Sequence, residues 1–444
     1  MRHALFAAQR AMRDQLRSAL KRGLLGLIDI GTSKTACVIL RVDPAKLAVS
    51  SHEEAHLGGF GAMRVIGVGV TRSRGVRLGE IVEMEECERA IRTALQQAEK
   101  MAGVRVDQVV GAISGARPAS FGATGETEVM TGEVTEADVA AALAECPEPP
   151  LEDDREILHA LPVNFTLDRT SFLADPRGMA GERLSVDMHV LSVAGAPLRN
   201  LARCVRRCDL ELAGVVTAPY AAALSSLVED EQELGAACLD MGAGSTGVSI
   251  FLRRQLIFAD AARVGGAHVT RDVSEAFSIE GPLAERIKVI HGGVVATGLD
   301  DRELISAPPI GAPEGHERHV TRSALIGVIR PRVEEILEEA RALLDAAGFD
   351  HLPSRRIVLT GGGSQLPGLE DVARRVLGQR VRVGRPIRIG GLPQSAAGPG
   401  FAAAVGLAAY AVRPHDEIWD FEAPATIGGR TRLRRAVRWF RDNW

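Results

Sequence analysis

The sequence predicts an α/β protein built of two similar lobes, with a small α+β domain inserted in the first. Three observations predict it. The pattern apolar strand–Asp–x–Gly–x–x–x–Thr–apolar strand occurs twice, at Asp29 to Thr35 and at Asp240 to Thr246, with every matched residue 211 positions from its counterpart. A self-similarity of this kind signals a duplicated fold with two loops that face each other. A third glycine cluster, Gly361-Gly362-Gly363, follows a buried-type strand, Arg356 to Thr360. Between the two copies, residues 119–195 differ in texture, with Thr- and Gly-rich strand segments around a Pro-rich loop.

Composition narrows the class. The 444 residues suggest about three domains. A chain 46% hydrophobic and 25% charged has the balance of a folded globular protein. The net charge of −4 argues against a globally basic nucleic-acid binder, so no nucleic-acid partner is expected. Cysteines 37, 87, 146, 204, 208 and 238 form no C-x-x-C pair, and Cys204 and Cys208 have no nearby His to complete a zinc site. Reduced thiols in a cytosolic protein are the expectation. No apolar run reaches the ~18–20 residues that span a bilayer, and residues 1–23 lack a signal-peptide core. All three Trp (Trp419, Trp439, Trp444) lie in the last 26 residues, so the globular core is expected to use none.

Along the chain, residues 1–22 read as a basic, weakly amphipathic N-terminal extension, partly helical and poorly ordered at its start. A helix touching a membrane is the lesser alternative there. Leu24 to Ile30 is an apolar strand that runs into a polar turn and returns as Ala36 to Val42, a hairpin rather than a strand–loop–helix. Met84 to Met101 reads as a helix and Val106 to Ile113 as a strand. In the inserted block come a strand (Phe121 to Thr131), a helix capped by Thr135, and strands around 157–165 and 185–194. A helix from Pro197 to Arg207 returns to the first lobe. After the second hairpin come a helical region (Val269 to His291), a loop at 307–316, a long helix (Thr321 to Ala347), the strand before the triglycine, and a helix from Leu369 to Leu377. Phe401 to Val412 reads as a buried helix. Residues 413–429 read as a flexible linker.

The loops carry the chemistry. Small residues leave backbone N–H groups free to point at phosphate oxygens. Gly31, Gly242 and Gly244 allow close approach, and Ala243 adds no bulk. Thr32, Ser33, Ser245 and Thr246 add hydroxyl donors, and Lys34, one of only five lysines, adds a point charge. Asp29 and Asp240, at the strand ends, suit Mg²⁺ held through water. Two such loops across a cleft would clamp a triphosphate, the positioning logic of phosphoryl transfer. Gly361, Gly362 and Gly363 would let a base or ribose lie against bare backbone, with Ser364 starting a helix. Glu285 and Lys288 share a helix face, either as an exposed ion pair or as a ribose or base contact.

The last residues form a separate element. Leu433, Val437, Phe440 and Trp444 make one helical stripe flanked by Trp439, against Arg434, Arg435, Arg438 and Arg441 on the other face. An aromatic apolar face beside an Arg-rich face is the pattern of a helix lying in the interface of an anionic membrane, where each Arg contributes about 1 kcal/mol. A partner-binding helix, or one packed on its own domain, is the alternative.

The two hairpins, the Leu-Thr-Gly-Gly-Gly turn and Ala284-Glu285-Arg286-Ile287-Lys288 resemble the nucleotide-binding signature of the actin, sugar-kinase and heat-shock chaperone superfamily. Within it the chain is most similar to the FtsA family of bacterial cell-division actin homologues, on Ser73-Arg74-Gly75 before Gly79-Glu80, on Asp230 to Gly235, on the 119–195 insertion and on the terminal helix. The resemblance implies an actin-like fold. Lobe I would comprise 23–118 with 196–235 and about 385–412, carrying the FtsA-type insert 119–195. The lobe II core would be 236–262 with 350–384, its variable subdomain 263–349, and the membrane-targeting helix 430–444.

The same resemblance implies a cell-division protein with ATP and Mg²⁺ as cofactors. Asp29 to Lys34 and Asp240 to Thr246 would be its two phosphate loops, Gly361 to Ser364 its adenosine motif, and Glu285 and Lys288 its ribose and base contacts. It further implies head-to-tail self-assembly on the cytoplasmic face of the inner membrane at the division septum. The C-terminal peptide of FtsZ would dock on 263–349, and the insert would contact the next protomer and later division proteins. One departure matters. Relatives that hydrolyse ATP readily carry an acid before the Pro of the connecting helix, and here that element reads Ala218-Pro219, so binding with weak or no ATPase activity is expected. The competing readings are a pilus-assembly ATP-binding protein, which would lack the tail, and a sugar or small-acid kinase, which would need an acidic base in the cleft.

Overall fold

A computed structural model describes residues 2–49, 60–311, 318–413 and 415–421. The amphipathic segment 430–444, with Leu433, Arg434, Arg435, Val437, Arg438, Trp439, Phe440, Arg441 and Trp444, lies outside the described residues.

The chain begins with helix α1 (Arg2–Arg22), then the hairpin β1 (Leu24–Ile30) and β2 (Lys34–Val42), the short α2 (Pro44–Val49), β3 (Met63–Arg72), a two-residue hairpin β4 (Val76–Arg77) and β5 (Glu80–Ile81), α3 (Met84–Ala102) and β6 (Gln108–Ile113). The insert follows as β7 (Ala119–Glu128), α4 (Glu136–Glu145), β8 (Arg155–Leu167), β9 (Thr170–Leu173) and β10 (Arg183–Ala194), a sheet of order β7-β10-β8-β9. Thr135 caps α4: its hydroxyl oxygen accepts from the Asp138 N–H, and the Asp138 carboxylate accepts from the Thr135 N–H at 2.8 Å.

Lobe I resumes with α5 (Gly195–Arg207), β11 (Glu211–Thr217), α6 (Ala218–Ser226) and α7 (Glu229–Leu234). Lobe II contains β12 (Ala236–Met241), β13 (Thr246–Leu252), β14 (Gln255–Ala262), α8 (Gly266–Phe277), α9 (Gly281–His291), the pair β15 (Leu304–Ser306) and β16 (His319–Thr321), α10 (Arg322–Ala346), β17 (Arg356–Thr360), α11 (Leu369–Leu377) and β18 (Arg380–Val383). Helix α12 (Ala402–Val412) closes the series.

The duplication is visible strand by strand. Lobe I has the sheet order β11-β6-β1-β2-β3, and lobe II has β18-β17-β12-β13-β14 when read from the same end. Each hairpin pairs in the same register: Ile30 faces Thr35 as Met241 faces Thr246, and Asp29 faces Ala36 as Asp240 faces Gly247. In each lobe the Asp-bearing strand also pairs in parallel with a later strand, β6 or β17. Strands buried on both faces read as continuous apolar runs, which is why these were the clearest in the sequence.

The lobes join along α6 and α12, both almost wholly buried. Ala and Gly let the two helices touch, since a Cβ at Gly406 would stand 1.7 Å from the Ala221 carbonyl oxygen. Strands β3 and β11 carried weak sequence signals, because Gly67, Gly69 and Gly214 interrupt their runs. The region 269–291 divides into α8 and α9 at Ser278, which adopts a left-handed backbone (φ 49°).

Two expectations are corrected. Residues 2–22 are not a partly helical extension: they form one continuous helix, with Leu16 and Ala19 in the lobe I core and Met12 buried beside them. Residues 415–421 are not a flexible linker either. Trp419, 2% exposed, fills the core of the insert with Phe421, so the globular core does use a Trp. A short polar stretch concealed this, because its few apolar groups find partners on elements more than 200 residues away.

Candidate functional site

The cleft between the lobes is a cavity of about 490 Å³, within the range of small-molecule sites. Its walls carry Asp29, Gly31, Thr32, Ser33 and Lys34 from the first hairpin, and Asp240, Gly242, Ala243, Gly244 and Ser245 from the second. Glu285 and Lys288 of α9, and Gly361, Gly362 and Gly363 after β17, complete the wall. The loops are closed alike. The Gly31 N–H donates to the Lys34 carbonyl and the Gly242 N–H to the Ser245 carbonyl, both at 3.0 Å.

Asp29 is buried, and burial raises its pKa against the pull of Lys34. Burial, with Asp29 close by, pushes Asp240 up to about 7. Burial lowers the Lys34 ammonium, with the two carboxylates opposing. A carboxylate raised by burial and by a second carboxylate beside it, with one partly neutralising lysine, forms a site that gains from an added cation. Lys34 donates to the Gly400 carbonyl and stands 3.4 Å from the Phe401 ring centre, a cation–π contact. Among the described residues no group of three or more His, Cys, Asp or Glu is placed to hold a metal. A hydrated divalent cation that takes one or two carboxylates fits Asp29 and Asp240 better than a dehydrated ion in a protein cage would.

Two named residues do other work. Thr246 is fully buried, and its hydroxyl donates to the Val264 carbonyl at 2.9 Å, so it holds the loop base rather than facing the cleft. Ser364 is buried and donates to the Gly361 carbonyl at 2.8 Å, inside a 3₁₀ turn (Gly362–Gln365) that precedes α11. A hydroxyl beside a tight loop reads the same in sequence whether it points at a ligand or at its own backbone.

Glu285 and Lys288 face each other at 2.7 Å, and the Lys288 ammonium also donates to Thr270 (2.8 Å) and the Gly266 carbonyl (3.0 Å). Gly361 has a left-handed backbone (φ 79°), and a Cβ there would meet Asp240 Oδ1 at 2.5 Å. At Gly362 a Cβ would meet no protein atom within 4 Å.

Sequence reasoning passed over the β4–β5 turn as a cleft element. Its Gly79 N–H donates to Thr32 Oγ1, Leu78 lies against Gly244, and Glu80 reaches Arg263 of lobe II at 3.5 Å. The Ser73-Arg74-Gly75…Gly79-Glu80 spacing was the available signal. Ala218 and Pro219 also line the cavity, and neither carries a carboxylate.

The family profile described as Cell division protein FtsA matches residues 237–406, and that of the SHS2 domain inserted in FtsA matches residues 115–192. Cell division protein FtsA of Rhizobium meliloti (strain 1021) is 39% identical to this chain over 95% of both chains. The chain belongs to the FtsA family. The FtsA of Escherichia coli (strain K12) is 30% identical over 96% of this chain and 99% of its own. Among solved structures, a PilM–PilN type IV pilus biogenesis complex chain aligns with TM-score 0.57 at 18% identity, over 87% of this chain and 98% of its own. That likeness concerns the actin-like fold alone. The SHS2 match coincides with the β7–β10 insert, which fits the sequence expectation of an FtsA-type inserted domain.

Proposed function

We propose that this FtsA-family protein binds ATP with Mg²⁺ between its two hairpins and polymerises head to tail on the cytoplasmic face of the inner membrane. There it anchors the FtsZ ring and helps recruit later division proteins. The observation that carries the reading is the pairing of two identically closed loops across one cavity, with a carboxylate at the base of each. Loop N–H groups, Ser33, Ser245 and Lys34 would hold the phosphates, and Asp29 and Asp240 would hold the hydrated cation, which supplies charge neutralisation at the phosphates. Gly362 and its neighbours would lie under the adenosine.

Residues 263–349 expose Ile290, Leu299 and Leu304, apolar surface that supports docking of an FtsZ peptide there. The Arg- and Trp-rich stripe at 430–444 supports the membrane reading. With Ala218 where active relatives carry an acid, turnover is expected to be slow or nil.

Calorimetric titration with ATP and Mg²⁺ tests the cleft: Gly242→Glu should abolish the binding seen in the parent, and equal affinities would refute the reading. Electron microscopy on a monolayer of anionic lipid with ATP should show filaments, lost when residues 430–444 are deleted.

A further inference from the structure

Three distant parts of the chain meet at one buried carboxylate. Glu417 is 1% exposed. Its Oε1 accepts from Arg13 of α1 at 3.2 Å and from the Tyr410 hydroxyl of α12 at 3.5 Å, and lies 3.3 Å from His159 Nδ1 of β8. Its Oε2 accepts from the Ala160 N–H at 3.0 Å. Arg13, itself buried, donates to the His415 carbonyl at 2.8 Å and pairs with Asp420 at 3.3 Å.

The neighbouring turns of α1 grip the same segment. Arg10 donates from Nε to the Trp419 carbonyl at 2.6 Å and from its terminal nitrogen to the Phe421 carbonyl. Arg17 reaches Asp420 at 3.5 Å. Residues 10, 13 and 17 fall on one helix face, so a single stripe of arginines holds residues 415–421. A buried ionic cluster adds little net stability over apolar packing of the same volume, and its best-attested use is to fix one register. Arg13 and Glu417 therefore specify where this segment lies.

We propose that α1 is a clamp for the root of the C-terminal tail: through Arg10, Arg13 and Arg17 it fixes residues 415–421 against lobe I and the insert. The reach of residues 430–444 is then set by residues 422–429 alone. Eight residues span at most about 28 Å, whereas a free segment 413–429 would span up to about 60 Å. The clamp thus holds the body close to the surface that the tail binds, and it ties the tail root to the insert through His159 and Ala160. The reach limit rests on the membrane reading above.

Full-length Glu417→Gln, which leaves Arg13 its contact with Asp420, and Arg10→Ala are the test variants. Hydrogen exchange in solution should show 415–421 protected in the parent and exchanging roughly tenfold faster or more in each variant, with β1 and β12 unchanged. On vesicles of phosphatidylglycerol and phosphatidylethanolamine, energy transfer from a lobe I label to labelled lipid should fall in the variants while the sedimented fraction stays the same. Rapid exchange of 415–421 in the parent, or no change in both variants, overturns the clamp. Faster exchange with unchanged energy transfer overturns the reach limit. A parent that leaves vesicles unbound overturns the membrane reading and the reach limit with it, while the exchange measurement still decides the clamp.

Discussion

The Gly79 N–H donates to Thr32 Oγ1 across 2.8 Å, pinning the first cleft loop to the β4–β5 turn. The same turn packs on the second loop, where a Cβ on Gly244 would stand 2.4 Å from Thr32 Oγ1 and 2.7 Å from the Leu78 Cα. Both loops therefore share one small support, and the spacing between them depends on glycine at 244.

Gly244→Ala should force that support apart. Leu78 is held at φ 52° and offers backbone rather than a flexible tip. Overpacking of this kind costs about 1–3 kcal/mol. We expect a lower melting temperature and an ATP affinity reduced by roughly tenfold, a 1.4 kcal/mol effect. Gly362→Ala is the contrast: a methyl there meets no protein atom, so melting should be unchanged while ATP affinity falls.

The raised Asp240 gives a pH dependence of known sign. Between the ordinary carboxylate value of 3.8 and about 7, the folded chain keeps a proton that the unfolded chain has released. Stability of the ligand-free protein should therefore fall as pH rises through that window and level off above it. Asp240→Asn removes the contribution. By calorimetry without nucleotide or Mg²⁺, the variant should melt above the parent near about pH 8, with the gap closing in acid. A gap independent of pH would refute the assignment.

The six thiols should be inert in the folded protein. All are buried, and burial pushes Cys37 and Cys208 up to about 12. Little thiolate is available at neutral pH, so Ellman's reagent should modify fewer than about one thiol per chain natively and all of them after denaturation.

Trp419 should report the core and not the membrane. Trp419→Ala should destabilise by about 3–5 kcal/mol, as large aromatic truncations in cores do. In a chain shortened by residues 430–444, the remaining Trp emission should be blue-shifted and resistant to acrylamide, and vesicles should leave it unchanged.

Both cleft loops were legible because each is a local pattern: an apolar strand, an acid, small residues, a return strand. Periodicity and glycine content encode such hairpins within about a dozen residues. The insert was legible in the same way, down to the Thr135 cap of α4. The direction of a hydroxyl was not. Thr32 and Thr246 read alike, yet one lines the cleft under the Gly79 N–H and the other is spent on the Val264 carbonyl.

What the sequence alone determined was the duplicated hairpin core and the residue types of its two loops, since these follow from local strand and turn preferences repeated twice. Only the tertiary structure decided that an Arg-rich first helix and a polar stretch some 400 residues later form one buried cluster at Glu417. Charged groups so far apart carry no local signal. They become partners only when the folded body removes both from water and leaves each as the nearest group able to satisfy the other.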